Sequence, residues 1–177
     1  AGLRARGVAV IDIGLADTPQ NYFATGHLGA SGGIQVTASH NPSVYNGFKM
    51  SRRDAIPVSR DTGIARLEEL VRASEADPGM PARADTQRRE VFDAYADHVV
   101  GHLTTTEPRL RVAADAANGM AAIYRPILDR LGIDLFPLYF ELDGSFPNHE
   151  ANPLKEENLS DLARAVREHG CDLGVAF

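Results

Sequence analysis

The sequence has one cysteine in 177 residues, no tryptophan and no excess of basic charge. It also has no apolar run near the roughly 20 residues that a bilayer span takes. Each shortage removes a class. Cys171 has no intrachain partner, so a disulfide framework is excluded and a reducing, cytoplasmic setting is favoured. The stretch after Ala1 does not read as a basic start followed by an apolar core, the signature of a secretory signal. A net charge of −6 argues against a broad nucleic-acid surface, yet allows a local basic pocket for an anionic metabolite. No short-period repeat and no low-complexity tract is present. What remains is ordinary globular composition, 44% hydrophobic and 24% charged. The length admits one large domain or two small ones.

Periodicity favours two. Val8–Ile13 is nearly continuous and β-branched, which predicts a strand buried on both faces. Thr18-Pro19 supplies a cap and a first-turn proline for a helix through His27. Gly29, Gly32 and Gly33 end it. Gly33–Thr37 alternates as a second strand, and Phe48–Met50 resumes an extended segment. Ile64, Leu67, Leu70 and Val71 have helical spacing from Asp61 or Thr62, residues 77–87 read as loop, and Val91–Leu103 as helix. Thr104–Pro108 is the best linker. After it the pattern restarts: strand Leu110–Asp115, turn Ala117–Gly119, helix Ile123–Leu131, strand Ile133–Phe140, loop 143–153, helix Asn158–Glu168, strand Cys171–Phe177. Alternating strands and helices predict parallel pairing by right-handed crossovers. The chain opens almost directly on a strand and stops on an apolar run, which reads as a piece of a longer protein.

One stretch concentrates chemistry: Thr37-Ala38-Ser39-His40-Asn41-Pro42-Ser43-Val44-Tyr45-Asn46-Gly47-Phe48-Lys49. Ser39 stands where a strand ends and a tight loop begins, the edge at which α/β ligand sites collect. His40 and Asn41 add hydrogen-bonding groups. Pro42 and Asn46-Gly47 stiffen the loop. Lys49 follows the closing turn and can fold back towards Ser39, where it suits phosphate neutralisation or proton transfer. Gly29–Gly33 could offer backbone amides to an anion. Taken singly, each of these groups is ordinary loop composition. A serine hydrolase with Asp115 and His149 as partners is a weaker reading, because Ser39 lacks the flanking glycines of a nucleophile elbow. Asp12, Asp115 and Asp172, in or beside strands, read as structural.

Taken together, the stretch resembles the active-site serine loop of the α-D-phosphohexomutases, which include phosphoglucomutases and phosphomannomutases. That family's motif is close to T-A-S-H-N-P followed by N-G-x-K, and every residue of it is present. The resemblance extends along the chain, through Asp12–Leu15, Thr18-Pro19 and Tyr22–Ala24, then Val112–Gly119, Asp143–His149, Asn152–Leu154 and Glu157–Leu159. Ala151 stands where a proline is common. Tyr45 and Phe48 resemble the phosphomannomutase/phosphoglucomutase branch more than the phosphoglucosamine branch.

The resemblance implies an α/β architecture: two consecutive domains at 1–104 and 105–177, with mostly parallel (mixed) sheets flanked by helices, truncated at both ends. It implies an isomerase that interconverts hexose 1- and 6-phosphates of mannose or glucose. A phosphoserine at Ser39 would pass its phosphoryl group through a sugar 1,6-bisphosphate, with glucose 1,6-bisphosphate as activator. Lys49 would serve as general acid/base or stabilise charge, His40 would orient the phosphoryl group or a sugar hydroxyl, and Asn41 would support the loop and line the substrate site. One phosphate oxygen on Ser39 would ligate Mg²⁺, whose other ligands belong to a loop beyond Phe177. The family's third and fourth domains are absent, so this chain alone is expected to be inactive. Hexose phosphates are the expected partners, with no nucleic acid and no membrane, and nothing in the sequence specifies an oligomeric state. A non-catalytic phosphosugar-binding module is the alternative.

Overall fold

The computed structural model describes residues 2–74, 81, 83–104 and 109–177. The chain divides into two compact units, Ala1–Gln35 with Lys49–Tyr95 and Val36–Phe48 with Ala96–Phe177. Residues 77–80 and 82 of the expected loop, and 105–108 of the expected linker, lie outside the described residues.

The first unit opens with a single turn, α1 (Gly2–Ala5), and a short strand, β1 (Val10–Asp12). Next comes α2 (Thr18–His27). Its cap is Asp17 rather than the expected Thr18: Asp17 Oδ1 accepts from Gln20 N at 2.9 Å, and Pro19 fills the first turn. Burial pushes the Asp17 carboxyl up, against the lowering effect of that amide. The strands β2 (Gly32–Val36) and β3 (Phe48–Arg52) form a two-stranded sheet. A Cβ on Gly33 would lie 2.4 Å from Thr25 Oγ1 and 2.5 Å from Asn21 Oδ1. The structure therefore gives this glycine a packing reason, the close approach of α2 to the sheet.

A wide turn at Arg60–Ile64 leads into α3 (Ala65–Ala73). Ser59 and Thr62 cap that turn reciprocally, Thr62 N donating to Ser59 Oγ at 3.3 Å and Ser59 N to Thr62 Oγ1 at 2.8 Å. The helix thus begins three or four residues later than the start expected at Thr62 or Asp61. The structure also corrects the loop expected up to residue 87: Thr86–Arg88 forms β4, which pairs in parallel with β1 from Val10↔Thr86 to Asp12↔Arg88. Its three polar residues hide it from any hydrophobic pattern. A second correction concerns β1. Ile11 is 39% exposed, not buried on both faces. Among the described residues β1 has one strand neighbour, so it is not enclosed as it would be within a wide sheet. The unit ends at Tyr95, within α4 (Phe92–Val100), and the Tyr95 ring packs edge-on against Phe23 with ring centroids 5.6 Å apart.

The second unit runs β5 (Arg111–Asp115), α5 (Arg125–Arg130), β6 (Asp134–Leu138), α6 (Ser160–His169) and β7 (Leu173–Ala176). Strand, helix, strand, helix, strand is the predicted order. Both neighbours of the central β5 pair with it in parallel, in the order β6-β5-β7. Central position explains why Val112 to Asp115 is buried. Pro137 lies on the edge strand β6, where a missing N–H is tolerated. Leu162 and Ala165 of α6 bury against Ala113, flanked by Phe136, Leu138, Val166, Cys171 and Ala176. A buried leucine of this kind is worth about 1.5–3 kcal/mol. A Cβ on Gly174 would lie 2.9 Å from Val166 Cγ2, so β7 must lack a side chain where α6 crosses it. The carboxyl ends of β5 and β6 lead into the turns at 116–119 and 139–155, the edge at which α/β folds build sites.

Candidate active site

The serine loop is held by its own groups. Thr37 N donates to Gly47 O at 3.0 Å and closes the neck. Within it, Ser39 N donates to Thr37 Oγ1 at 3.0 Å, and Asn41 Nδ2 to Ala38 O at 2.7 Å. Asn41 N reaches the same carbonyl at 3.1 Å, and Gly47 N donates to Asn46 Oδ1 at 2.9 Å. Ser39 itself has φ +56°, in the left-handed region that costs a non-glycine residue roughly 1–2 kcal/mol. Ser39, His40 and Asn41 are exposed. A strained, internally bonded loop thus fixes an open hydroxyl. Replacing Ser39 by glycine is expected to raise unfolding stability by up to about 1 kcal/mol, by releasing that strain. Unfolding in urea measures it, and an unchanged or lower midpoint would remove strain from the account.

Lys49 lies elsewhere in the division, exposed on β3 in the first unit. The other three expected site residues belong to the loop that groups with the second unit.

His40 has a partner far away in sequence. Its Nδ1 lies 2.8 Å from Ala151 O. A carbonyl can only accept, so His40 Nδ1 carries the proton. Ala151 belongs to a turn bound from several sides. Asn158 is buried, and its Nδ2 donates to Glu150 O at 3.0 Å and to Asn152 O at 2.8 Å. Asn152 N donates to Glu150 O at 2.8 Å. Lys155 pairs with the Glu150 carboxylate.

His149 anchors the same turn to the sheet. Its Nε2 lies 3.0 Å from Asp115 Oδ2, at the end of β5, and its Nδ1 lies 3.0 Å from Glu150 O. Asp115 is only 1% exposed, and its other oxygen accepts from Ala117 N at 2.8 Å. Both partners of the ring are acceptors, so the geometry calls for an imidazolium paired with a carboxylate. Burial opposes that charge. The Glu150 carbonyl and the Asp115 carboxylate outweigh it and leave the His149 pKa raised. Both ring nitrogens are engaged, so His149 has none left for a serine hydroxyl, and the hydrolase triad does not exist here. Beside it, Tyr139 donates to Asp161 Oδ2 at 2.5 Å. That bond, helped by burial, pushes the Tyr139 pKa up to about 12. The Tyr139 hydroxyl and then Arg164 hold Asp161 low.

The sequence reads Asp115 as structural and, with His149, as a possible partner of a serine; nothing in it places the two side by side, 34 positions apart. Asn118 and Asn158 were missed as hubs. Asn118 donates to Glu141 O at 2.8 Å and accepts from Asn148 Nδ2 at 2.8 Å. Its place in an Ala-Asn-Gly turn marks a turn residue and nothing more. Asp12 and Asp172 fill the structural roles expected of them: Asp12 Oδ1 accepts from Gly14 N at 2.7 Å, and Asp172 Oδ2 from Arg111 N at 2.7 Å.

Magnesium takes hard oxygen ligands. The open Ser39 hydroxyl has room for a phosphoryl group whose oxygens suit such an ion. Among the described residues, no group of three or more His, Cys, Asp or Glu side chains is placed to hold a metal. No helix among the described residues is long and apolar enough to cross a membrane.

Comparison with known proteins agrees with this loop and this fold. The family model for phosphoglucomutase/phosphomannomutase α/β/α domain I matches residues 1–77, and that for domain II matches residues 93–177. A Xanthomonas campestris protein named "Phosphohexose mutases" is 43% identical over 100% of this chain and 40% of its own length. A Salmonella typhimurium phosphomannomutase is 40% identical over 99% of this chain and 40% of its own length. The chain thus spans about 40% of the curated relatives it matches. A crystal structure of a phosphoglucomutase/phosphomannomutase family protein from Burkholderia thailandensis superposes with a TM-score of 0.82 at 33% identity, over 99% of this chain and 39% of that one. With a specific serine loop, two consecutive α/β domains and matches to both domain models, the chain belongs to the phosphoglucomutase/phosphomannomutase family.

Proposed function

We propose that this chain carries the phosphoryl-bearing serine loop of a hexose-phosphate mutase acting on mannose or glucose phosphates, and that Ser39 takes up and returns the phosphate. The observation that carries the reading is the Thr37–Lys49 stretch, which matches the family motif residue by residue and holds Ser39 exposed in a strained, self-bonded loop.

In the forward step the bond between Ser39 Oγ and phosphorus breaks as a sugar hydroxyl oxygen bonds to phosphorus. The hydroxyl gives up its proton, and Ser39 Oγ regains one when the serine is released. The return step runs in reverse from the other phosphate of a sugar 1,6-bisphosphate. Such transfers need positioning and charge neutralisation more than covalent help. Lys49 supplies positive charge and a proton-transfer group. His40 orients the incoming group, while Asn41 keeps the loop in shape and borders the substrate. Mg²⁺, held in part by an oxygen of the Ser39 phosphate, would supply neutralisation of the phosphoryl charge. The chain spans about 40% of its relatives; turnover is assigned to the complete protein, and none is expected of this chain alone. A free thiol at Cys171 and a soluble sugar phosphate substrate fit the cytoplasm.

The test is to incubate the chain and the complete protein with Mg²⁺ and glucose 1,6-bisphosphate and to map phosphate by peptide mass spectrometry. Phosphate on Ser39 in either supports the reading, and its presence only in the complete protein assigns activation to the rest of that protein. Phosphate on Ser39 in neither, before or after incubation, overturns it in favour of a phosphosugar-binding module.

A further inference from the structure

The contact between His40 and Ala151 reaches from the serine loop to a turn more than a hundred positions later, within one compact unit. Free histidine in water prefers the proton on Nε2. Here the acceptor at Nδ1 is a backbone carbonyl, so a neutral His40 has its proton on Nδ1 and its lone pair on Nε2. That choice has a chemical consequence. A lone pair accepts a hydroxyl proton and repels a phosphoryl oxygen. The neutral ring is therefore set to receive the hydrogen of a sugar hydroxyl, not to donate to the phosphoryl group.

The carbonyl can select a tautomer only if it is held still. It is held by the Asp115–His149 pair and by Asn158. Asp115 is fixed at the end of the central strand, and its carboxylate reaches His149 Nε2 at 3.0 Å. His149 Nδ1–H and Asn158 Nδ2 both converge on Glu150 O, and Asn158 also takes Asn152 O. The peptide units before and after the one that bears the Ala151 carbonyl are thus tied down, and that unit's own Asn152 N–H donates to Glu150 O at 2.8 Å. We propose that Asp115 and His149 are positioning residues for phosphoryl transfer: they fix the turn whose Ala151 carbonyl holds His40 in the Nδ1–H tautomer, so that His40 Nε2 accepts a hydrogen bond from the sugar hydroxyl and orients it. The role of His40 rests on the mutase reading above; the tautomer and its support do not.

The test is nitrogen NMR of the imidazole rings in the complete protein, labelled with ¹⁵N at histidine. His40 is expected to carry its proton on Nδ1 in the neutral form. His149→Ala is expected to release the turn, so that His40 moves towards the Nε2–H tautomer, and to lower kcat by on the order of ten- to a hundredfold with KM nearly unchanged. Asp115→Asn separates geometry from charge. Its amide can still donate to His149 Nε2 while its oxygen keeps the Ala117 N–H, so His40 should keep the Nδ1–H tautomer.

A proton on Nε2 in the unaltered protein overturns the proposal, whether or not any variant folds. So does a folded His149→Ala protein whose His40 remains fully Nδ1–H. Neither outcome depends on phosphate at Ser39. An Nε2–H tautomer of neutral His40 in the unaltered protein, with Ser39 phosphorylated, sinks this inference alone; an Nδ1–H tautomer with no phosphate at Ser39 sinks the mutase reading and the role of His40 with it, and leaves the tautomer and its support standing.

Discussion

Ser39→Ala is expected to abolish hexose-phosphate turnover in the complete protein, lowering it by about 10⁴-fold or more, the scale on which deleting a nucleophile acts. The reasoning is short. Without Oγ there is no oxygen to carry the phosphoryl group, and the charge and hydrogen-bonding roles proposed for Lys49 and His40 have nothing to act on. The variant should fold normally. Ser39 is exposed, and alanine inherits the same left-handed backbone, with φ +56° in the parent loop, without relieving it. The one bond made by position 39 within the loop, from its N–H to Thr37 Oγ1, survives the substitution. Turnover and phosphate incorporation should disappear together, with the unfolding midpoint within a few tenths of a kcal/mol of the parent. Full turnover by this variant would refute the phosphoserine reading. Ser39→Gly provides the complementary result: the same inactivity, with a more stable loop.

The second large effect concerns the stability of the second unit and its pH dependence. His149→Ala leaves the Asp115 carboxylate, 1% exposed, without its counter-charge. Removing one partner of a buried ion pair costs 3–5 kcal/mol, and the low end, about 3 kcal/mol, applies because the imidazole keeps some exposure. The pH dependence has a definite sign. His149 is raised above its ordinary value of 6.5 by the Glu150 carbonyl and the Asp115 carboxylate, which outweigh burial, with Asp161 adding negative charge nearby. The folded state therefore binds the proton more tightly than the unfolded chain. Its contribution is complete below about pH 6.5 and is lost as pH rises through the higher folded value. Urea unfolding at several pH values across roughly 5.5 to 9, the range that brackets histidine titration, should show stability falling on the alkaline side. Asp115→Asn should flatten that slope, because a neutral amide no longer favours the imidazolium. An unchanged slope in Asp115→Asn would mean that some other group governs the titration.

How much of this was legible in the sequence follows from how local each signal is. The serine loop was legible because its chemistry lies within thirteen consecutive residues, and turn formers such as Pro42 and Asn46-Gly47 act on their neighbours. The alternation after residue 110 was legible for the same reason. Each strand is an apolar run and each helix an apolar stripe, and connecting such elements in parallel leaves few topologies. Element ends were less visible. Thr18 reads as the cap from the sequence, but the side chain that accepts from Gln20 N belongs to Asp17. Ser59 and Thr62 delayed α3 with bonds that periodicity does not register.

Tertiary structure alone decided the rest. Thr86–Arg88 is polar and shows no pattern; it is a strand because β1 offers it a parallel backbone ladder. Asp115 and His149 were each visible as residues. Their pairing depends on the end of a central strand meeting a distant turn, and a sequence with no alignment carries no record of that distance. The same holds for His40 and Ala151, separated by 111 positions. The acceptor is a backbone carbonyl, which every residue possesses, so no side-chain identity could have announced it. The sequence by itself determined the α/β pattern and the loop that carries Ser39. The fold determined which ring nitrogen of His40 holds its proton and which buried charge His149 neutralises, because hydrogen-bond geometry is set by proximity in space and composition is not.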